Sequence, residues 1–321
     1  MAYAPELGLT LEGVEGDEVE VEIKLLEERR ETRSPLPPYT TDEMLRDANR
    51  LLRMNSSTAM KLAQELFERG LITYHRTDST RVSDVGLNVA KSYLGSDFRG
   101  RTWSLGGEGA HECIRPTRPW DRETLRRMIY EGVLRVEGLT ARHLALYDLI
   151  FRRFMASQAP EIEVYVKRYR IRYGSRSLVE ERVLRAEGRA IQLYRSVKVG
   201  RELPLGRMRV QIDWRLIPEA YPYTQADVIR LMRERSIGRP STYASILQKL
   251  FDRGYIYERK RWLLPTRLGR AVCRYLDTHY GRFISEERTR RLLEKMDSIE
   301  RGEAEYIDIL TELYNEVKTI K

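Results

Sequence analysis

The sequence has few cysteines and histidines and no long apolar run. Cys113 and Cys273 are the two cysteines among 321 residues, which also include four histidines. Two cysteines are too few for a disulfide framework or a cysteine-based zinc site, and they suit a reducing compartment. No apolar run approaches the ~18 residues that a membrane helix needs, and the N-terminus lacks a signal-peptide pattern. These absences exclude a secreted, membrane or zinc-ribbon protein and predict a cytoplasmic location.

Two phosphate- and metal-binding patterns are also missing. The sequence has no Gly-x-x-x-x-Gly-Lys loop, so we expect no ATP site in this chain. None of the fourteen aspartates lies two residues from another, so there is no Asp-x-Asp pair for Mg²⁺. The adjacent His111 and Glu112 have too few further ligands near them for a metal site. We therefore predict no metal ligands.

The charge is positive and unevenly distributed. Lys and Arg number 57 against 48 Asp and Glu, a net charge of +9, but residues 1–35 hold 10 acidic and 4 basic side chains, which leaves +15 on the rest. Only ten of the cations are lysine. Arginine is suited to bidentate phosphate contacts, which favours a polyanionic partner. A thermophilic or GC-rich source also raises arginine content, so charge alone does not decide.

Periodicity predicts an α+β chain of several domains. Residues 18–25 alternate as a half-buried strand does, and 34–38 break the pattern with three prolines. Further elements are predicted as helices over 40–70 and 121–157, a loop over 94–120, strands over 161–173, 177–185, 189–198 and 207–213, and helices over 222–321 with a hairpin near 255–265. The predicted domains are 1–35, 36–153, 154–215 and 216–321.

An internal repeat is present. A shift of 184 residues places 38–72 over 222–256 without a gap and with twelve identities in 35 positions. Each copy predicts two capped helices, then a glycine and a strand, which is typical of a helix-turn-helix with a wing. A chance recurrence of a helical hairpin is the alternative, and twelve ungapped identities argue against it. Two related DNA-facing modules separated by a β-rich segment are therefore our interpretation.

The first candidate site follows the first copy, at Thr73-Tyr74-His75-Arg76-Thr77-Asp78-Ser79. In an extended segment Tyr74, Arg76 and Asp78 point to one side. Arg76 could stabilise the phenolate that develops when Tyr74 attacks a phosphate, and Asp78 could hold Arg76. Phosphoryl transfer depends mainly on positioning and charge stabilisation, so this small set is sufficient in outline. An amphipathic edge strand that ends in a polar turn explains the pattern equally well.

Two further segments have the composition of phosphate-binding loops. Glu108–Thr117 lies in a glycine-rich stretch, where His111 could donate to a phosphate oxygen and Arg115 lies four residues later. Ile237–Tyr243 opens a helix, and Ser241 or Thr242 would cap it, while Arg239 and the free helix N–H groups would bind an anion. An ordinary loop histidine and a plain N-cap are the structural alternatives.

Together the three segments resemble the type IA DNA topoisomerases. Thr73–Ser79, Ala110–Thr117 and Ile237–Tyr243 occur in the family's order and span about half of the chain. His75 and the Glu112–Cys113 pair are most similar to the topoisomerase module of reverse gyrase. The resemblance implies a toroid-like fold with a β-rich arch and two helical, helix-turn-helix-like modules. The arch would comprise 1–35 and 154–215.

The resemblance also implies a reaction and its partners. Tyr74 would attack a DNA phosphodiester and hold the 5′-phosphate, Arg76 and His111 would assist, and phosphate contacts would come from a further set, Asp78, Arg115, Arg239, Ser241 and Thr242. The expected partners are single-stranded and negatively supercoiled DNA. Mg²⁺ is implied as cofactor, but its ligands belong to a Toprim domain that this sequence lacks, as it lacks a helicase part. Those parts would lie on a missing segment or a separate chain.

Two other classes remain open on the residues alone. A tyrosine recombinase also uses Tyr, Arg and His, but its tyrosine lies late in the chain and forms a 3′-phosphotyrosine. A non-enzymatic helix-turn-helix protein that binds single-stranded DNA would explain the repeat and the charge. The polarity of a covalent adduct distinguishes the recombinase, and a search for a separate Toprim chain distinguishes the non-enzymatic protein.

Overall fold

The computed structural model describes residues 1–103, 111–215 and 220–318. These residues form two units. The first unit comprises Met1–Tyr39, Leu66–Thr73 and Ser79–Tyr221, and the second comprises Thr40–Glu65, Tyr74–Asp78 and Pro222–Lys321. The division into four domains made from the sequence stays a prediction.

Helices and strands alternate in blocks along the chain. The strands are β1 Ala2–Ala4, β2 Leu9–Leu11, β3 Glu18–Arg33, β4 Ile162–Tyr173, β5 Arg176–Glu187, β6 Gly206–Gln211, β7 Asp213–Trp214, β8 Ile256–Arg259 and β9 Trp262–Pro265. The helices are α1 Thr41–Leu52, α2 Ser56–Glu68, α3 Asp84–Leu94, α4 Arg122–Tyr130, α5 Ala141–Gln158, α6 Arg189–Leu193, α7 Gln225–Glu234, α8 Tyr243–Asp252, α9 Arg267–Ile284, α10 Glu286–Glu300 and α11 Tyr306–Lys318. A 3-10 turn covers Gly95–Asp97.

The first unit contains two antiparallel sheets. Four strands lie in the order β5-β4-β3-β6, and three short ones in the order β2-β1-β7. Alternate residues of β3 and β4, among them Ile23, Tyr169 and Ile171, are buried in a core that Leu7 and Leu11 extend. Strands from the two predicted arch segments, 1–35 and 154–215, therefore pair with each other in both sheets.

The acidic side chains of the first 35 residues pair with basic ones across the larger sheet. Glu22 on β3 lies 3.2 Å from Lys24, 3.6 Å from Arg207 on β6 and 3.9 Å from Arg172 on β4. Together these interactions hold the pKa of Glu22 below its usual value, the hydrogen bond from Lys24 contributing most. Part of the positive excess over 154–215 is thus balanced inside the sheet and does not require a polyanionic partner.

An arginine is buried in the helical part of the same unit. Arg153, on α5, is 2% exposed, and its Nε donates to the Pro37 carbonyl at 2.7 Å. Its guanidinium carbon lies 5.0 Å from the ring centroid of Tyr39 and 4.8 Å from that of Tyr194. Such cation–π contacts strengthen when water is excluded. Arg153 therefore connects α5 to the chain before α1 and to the residue after α6.

Two sequence predictions in this unit were wrong, and one helix was missed. The helix over 121–157 is two helices, because residues 131–140 contain Gly132 and Gly138 at positive φ (71° and 76°) and Thr140 caps α5. The strand over 189–198 begins instead as helix α6, after Gly188 at φ 118°. Helix α3 was not predicted, although Ser83 accepts a hydrogen bond from the Gly86 N–H as its N-cap.

The second unit is helical except for one hairpin among its described residues. It contains α1, most of α2, α7 to α11, and β8 paired with β9 in antiparallel register. Helix α1 packs against α7, so the first helices of the two sequence repeats are in direct contact. The prediction of helices over 222–321 with a hairpin near 255–265 is confirmed.

We expect Arg153→Ala to lower the free energy of unfolding by about 3 kcal/mol, since the variant leaves the Pro37 carbonyl without its donor and removes both aromatic contacts. The neighbouring Arg152, half exposed and 3.9 Å from Asp148, supplies a matched control whose alanine variant should change stability by less than about 0.5 kcal/mol. Urea denaturation followed by circular dichroism measures both. Equal losses would contradict the role assigned to Arg153.

Candidate functional site

The structure extends the internal repeat beyond the residues that match in sequence. Gly70 and Gly254 end the second helix of each copy with φ values of 66° and 65°. The carbonyl of each accepts a hydrogen bond from a threonine hydroxyl, from Thr117 at 2.6 Å in the first copy and from Thr266 at 2.7 Å in the second. The first copy therefore includes residues 113–117, which correspond to β9.

This correspondence continues along the backbone. The Ile114 N–H donates to the Tyr39 carbonyl at 2.9 Å, as the Leu263 N–H donates to the Tyr223 carbonyl at 2.7 Å. Ile72 pairs with Pro116 as an antiparallel bridge, as Ile256 pairs with Pro265 in the hairpin. Each copy is thus a winged helix-turn-helix, and the predicted wing is confirmed. In the first copy residues 73–112 are inserted within the wing.

Residues 74–78, the tyrosine segment, are fixed by the first residue of α1. The Thr41 hydroxyl lies 2.7 Å from the His75 carbonyl, to which it donates, and it accepts the Thr77 N–H at 2.9 Å. The Thr41 N–H donates to the Thr77 carbonyl at 2.8 Å. Thr41 therefore sets the backbone on both sides of Arg76.

The side chains of the tyrosine segment alternate between the interior and solvent. His75 and Thr77 are 0% and 2% exposed, while Tyr74, Arg76 and Asp78 are exposed. The ring of Tyr74 meets the buried His75 ring edge to face, with centroids 5.6 Å apart. Because alternate residues share one direction in an extended segment, the nucleophile candidate and its arginine are presented together.

The loop 236–242 approaches α8 with unusual backbone angles. Ser236 and Gly238 have φ values of 55° and 82°. Thr242 precedes α8 but forms no side-chain cap, because its hydroxyl accepts the Arg239 N–H at 2.9 Å and donates to the Arg239 carbonyl at 3.1 Å. Ser241 is exposed. The expectation that a hydroxyl of Ser241 or Thr242 caps this helix was therefore wrong, and Thr242 instead closes the turn that holds Arg239.

Arg239 is anchored to α10. Its Nη2 donates to the Leu293 carbonyl at 3.2 Å and forms an ion pair with Asp297. The side chain is 40% exposed, so the rest of the guanidinium borders solvent. One edge of Arg239 thus orients the loop 236–242, and the other remains available for an anion.

An ion pair between the two repeats lies beside these elements. Arg233 Nη1, near the end of α7, lies 2.7 Å from Asp42 Oδ2, in the first turn of α1, whose side chain is 8% exposed. Partial burial lowers the pKa of Arg233, but the Asp42 carboxylate outweighs it and the pKa is raised. Asp42 is also the residue after Thr41, so the pair fixes the helix end that holds the tyrosine segment.

Charged side chains of both sequence repeats act on the pKa of Tyr243. It is the first residue of α8 and 5% exposed. Burial raises its pKa, and the carboxylates of Asp42 and Asp78 raise it further, whereas Arg233 and Arg239 act in the opposite direction. The structure therefore brings Asp78 of the first predicted site and Arg239 of the third into one electrostatic environment. Sequence reasoning missed Asp42 and Arg233, since a first-turn acid and a last-turn base are ordinary on any helix.

The second predicted site lies in the first unit. Its residues 108–110 fall outside the described part of the chain, and His111 is exposed. Thr73, which precedes Tyr74 in sequence, is bonded to this segment: its hydroxyl donates to the Cys113 carbonyl at 2.7 Å, and its N–H donates to the Arg115 carbonyl at 2.9 Å. Burial raises the pKa of the Cys113 thiol, which makes it a poor nucleophile.

Arg115 is an interior residue and not a solvent-facing one. It is 4% exposed, and its Nε and Nη2 each donate to a Glu112 carboxylate oxygen at 2.9 Å. Nη1 donates to the Pro116 carbonyl at 3.0 Å, and Ser83 donates to Glu112 at 2.7 Å. Burial raises the pKa of Glu112, but the hydrogen bonds from Arg115 and Ser83 outweigh it and the pKa lies below its usual value.

The described residues offer neither a metal site nor a membrane span. Residues 1–103, 111–215 and 220–318 contain no group of three or more His, Cys, Asp or Glu side chains that could hold a metal ion. Every helix within these ranges is too short or too polar to cross a lipid bilayer.

The family follows from these elements and from comparison with known proteins. Residues 9–311 match the family model described as DNA topoisomerase. The chain belongs to this family, and the resemblance drawn from the three segments is confirmed. The structure is similar to that of full-length topoisomerase I from Thermotoga maritima, with a TM-score of 0.75 and 27% identity over 95% of this chain and 52% of that one. The multidomain α+β fold class is thereby confirmed.

Several of the curated proteins to which the chain is similar are reverse gyrases. The chain is 46% identical to reverse gyrase of Pyrobaculum aerophilum over 93% of this chain and 25% of that protein. It is 45% identical to reverse gyrase 1 of Aquifex aeolicus over 93% of this chain and 26% of that protein. The chain thus spans about a quarter of the length of these relatives. A non-enzymatic helix-turn-helix protein is not favoured by these similarities.

We expect Glu112→Gln to lower the free energy of unfolding by about 1.5 kcal/mol near neutral pH, because it replaces a charged acceptor of three hydrogen bonds. Because folding lowers the pKa of Glu112, its carboxylate stabilises the fold at pH values above the unfolded pKa of 4.5. This contribution disappears as the pH falls through the folded pKa. The difference from wild type should therefore shrink from about pH 7 to about pH 3 in urea titrations. Glu123→Gln, at an exposed pair 3.8 Å from Arg126, should show no such trend. A pH-independent difference would contradict the assignment.

Proposed function

We propose that this chain is the tyrosine-bearing part of a type IA DNA topoisomerase of the reverse-gyrase kind. It cleaves one DNA strand through a 5′-phosphotyrosine and supports strand passage, which changes DNA topology. The observation that carries the proposal is the tyrosine segment, in which Tyr74 and Arg76 are exposed on one side of a backbone that Thr41 fixes. Family membership supplies the reaction class.

Tyr74 is the nucleophile in this proposal. Its phenolic side chain is 42% exposed, so a polymer strand can reach it. The hydroxyl oxygen attacks the phosphorus of a phosphodiester and loses its proton as the bond to the 3′-oxygen breaks. The released 3′-oxygen takes up a proton and becomes a hydroxyl, and the reverse reaction reseals the strand. Since the energy of the phosphodiester is kept in the phosphotyrosine, resealing needs no added nucleotide.

Arg76 stabilises the charge that develops during this attack. A phenol with a pKa near ~10 is a weak nucleophile at neutral pH, so a neighbouring cation lowers the barrier. No side-chain hydrogen bond or ion pair joins Arg76 to another residue in the described ranges, which leaves its guanidinium for the phosphate. Asp78 was expected to hold Arg76, but no ion pair joins the two side chains in the described ranges. Its carboxylate repels a phosphate, so we propose that it does not contact the DNA backbone.

The loop 236–242 binds the strand beside the scissile bond. The solvent-facing edge of Arg239 contacts a phosphate, while Asp297 orients the opposite edge. Thr242 keeps the Arg239 backbone in place through two hydrogen bonds, and the exposed Ser241 hydroxyl is the further donor. A guanidinium oriented in advance loses less entropy when it binds than a free one.

His111 and Arg115 have different roles in the proposal. We propose that the exposed His111 donates to a phosphate oxygen of the bound strand. The Arg115 guanidinium is buried against Glu112, so we reassign it from phosphate binding to positioning: it holds residues 112–116, to which Thr73 is bonded. Thr73 directly precedes the nucleophile, and this pairing therefore fixes where the tyrosine segment begins.

Other parts complete the activity. We propose that Mg²⁺ binds to a Toprim part outside this chain and that the partners are single-stranded and negatively supercoiled DNA in the cytoplasm. A helicase part, with its ATP site, would likewise lie outside residues 1–321. This division is consistent with a chain that spans about a quarter of each reverse gyrase to which it is similar.

Tyr74→Phe tests the assignment. In the presence of Mg²⁺ and a Toprim-containing chain, wild type should transfer the label of a 3′-end-labelled single-stranded oligonucleotide to protein, because a 5′-phosphotyrosine retains the fragment that carries the 3′ end. The variant should lose the adduct by more than about 10³-fold and bind DNA nearly as well, since only the nucleophilic oxygen is removed. Denaturing gels measure the adduct, and fluorescence anisotropy measures binding.

The matched control is Tyr275→Phe, which removes a hydroxyl from a tyrosine that is 56% exposed in the same unit. It should form the adduct as wild type does. An undiminished adduct in Tyr74→Phe would overturn the nucleophile. Retention of a 5′-end label instead would establish the recombinase polarity and contradict the topoisomerase proposal.

A further inference from the structure

A cationic cleft lies in the second unit and is formed by residues outside the tyrosine segment. The cleft has a volume of about 560 Å³ and is formed by the end of α1 and by the tip of the β8–β9 hairpin. Its charged lining residues are Arg50, Arg53, Lys260, Arg261 and Glu258. Four cations therefore face one carboxylate.

Three of these cations occupy backbone conformations that disfavour them. Arg53, Lys260 and Arg261 have φ values of 54°, 49° and 74°. Lys260 and Arg261 form the two-residue turn between the paired residues Arg259 and Trp262. Such turns favour Asn-Gly, because both central residues need positive φ. The helix end at Arg53 similarly favours glycine. Residues kept in strained conformations concentrate at binding sites, and here all three line one cleft.

The opposite charges nearby are already engaged. Glu258 accepts a hydrogen bond from Gln225 Nε2 at 2.7 Å, and Asp47 accepts one from Arg50 at 3.0 Å. Within the described ranges no carboxylate forms an ion pair with Arg53, Lys260 or Arg261. Arg53, Lys260 and Arg261 thus line a concave surface opposite the single carboxylate of Glu258, and the net positive charge favours an anionic ligand with several charges.

We propose that this cleft binds the phosphodiester backbone of a DNA strand without cleaving it. Arg53, Lys260 and Arg261 contact successive phosphates, and Glu258, held by Gln225, cannot act as the tyrosine does. The site rests on the proposed function, because it takes the same DNA that Tyr74 cleaves, but it adds a contact region that the three sequence segments do not include. It would retain one part of the strand while another is cut.

The test is a variant that removes the charge and suits the backbone, Arg53→Gly with Lys260→Asn and Arg261→Gly. Binding of a fluorescent 20-nucleotide oligothymidylate to the full chain is measured by anisotropy over a salt series. Each lost phosphate contact removes about 0.7 from the slope of log affinity against log salt, so the slope should fall by about 2 and the affinity by about 100-fold at ~0.1 M salt. The melting temperature should not decrease, because each new residue tolerates positive φ.

The control removes three exposed arginines of the same unit that are each paired with a glutamate: Arg290→Gln, Arg291→Gln and Arg301→Gln. Its salt slope should stay within about 0.5 of wild type. A cleft variant that keeps the wild-type slope, or a control that loses as much, overturns the site while the Tyr74 adduct is unaffected. Failure of wild type to bind the oligonucleotide overturns this site and the proposed function together.

Discussion

The ion pair between Asp42 and Arg233 is the interaction on which the arrangement of the second unit depends. It joins the first turn of α1 to the last turn of α7, at 2.7 Å, with the carboxylate almost removed from water. A carboxylate in that position is stable only with a partner, so the two repeats are held in one register. Thr41 precedes Asp42 and fixes the tyrosine segment, and Arg239 follows α7. The repeat therefore has a structural role. The contact between its two copies places the tyrosine segment and the loop 236–242 in one electrostatic environment.

The structure explains much of the uneven distribution of charged residues along the chain. The negative excess of residues 1–35 is matched across the larger sheet, as the contacts of Glu22 with Lys24, Arg172 and Arg207 illustrate. Arg153 and Arg115 are interior residues that bind carbonyls, rings or a carboxylate. The cations that remain exposed and unpaired within the described ranges include Arg76, Arg53 and the two residues of the wing tip. The many arginines thus form ion pairs in the sheet and contacts in the interior, and the exposed ones are left to bind a polyanion.

Twelve identities at one shift predicted the repeat and its wing, and the alternation of an extended segment predicted the shared direction of Tyr74 and Arg76. Sequence periodicity did not predict α3 or the break between α4 and α5, since glycine at positive φ and an N-cap serine decide both. The strand expected over 189–198 failed because Gly188 starts a helix there. Arg115 looked like a phosphate ligand because only the tertiary structure places Glu112 against it. Asp42 and Arg233 lie 191 residues apart, so no local pattern could have paired them.

The most direct test of this account is a double-mutant cycle on the rate of 3′-label transfer to Tyr74, with Asp42→Asn, Arg233→Gln and the combination. If the pair positions the tyrosine segment, each single variant lowers the rate by at least about 10-fold, or about 1.4 kcal/mol, and the double variant is no slower than either. Rates equal to wild type in the single variants would contradict the account, as would losses that simply add, since these would mean that each residue acts without the other.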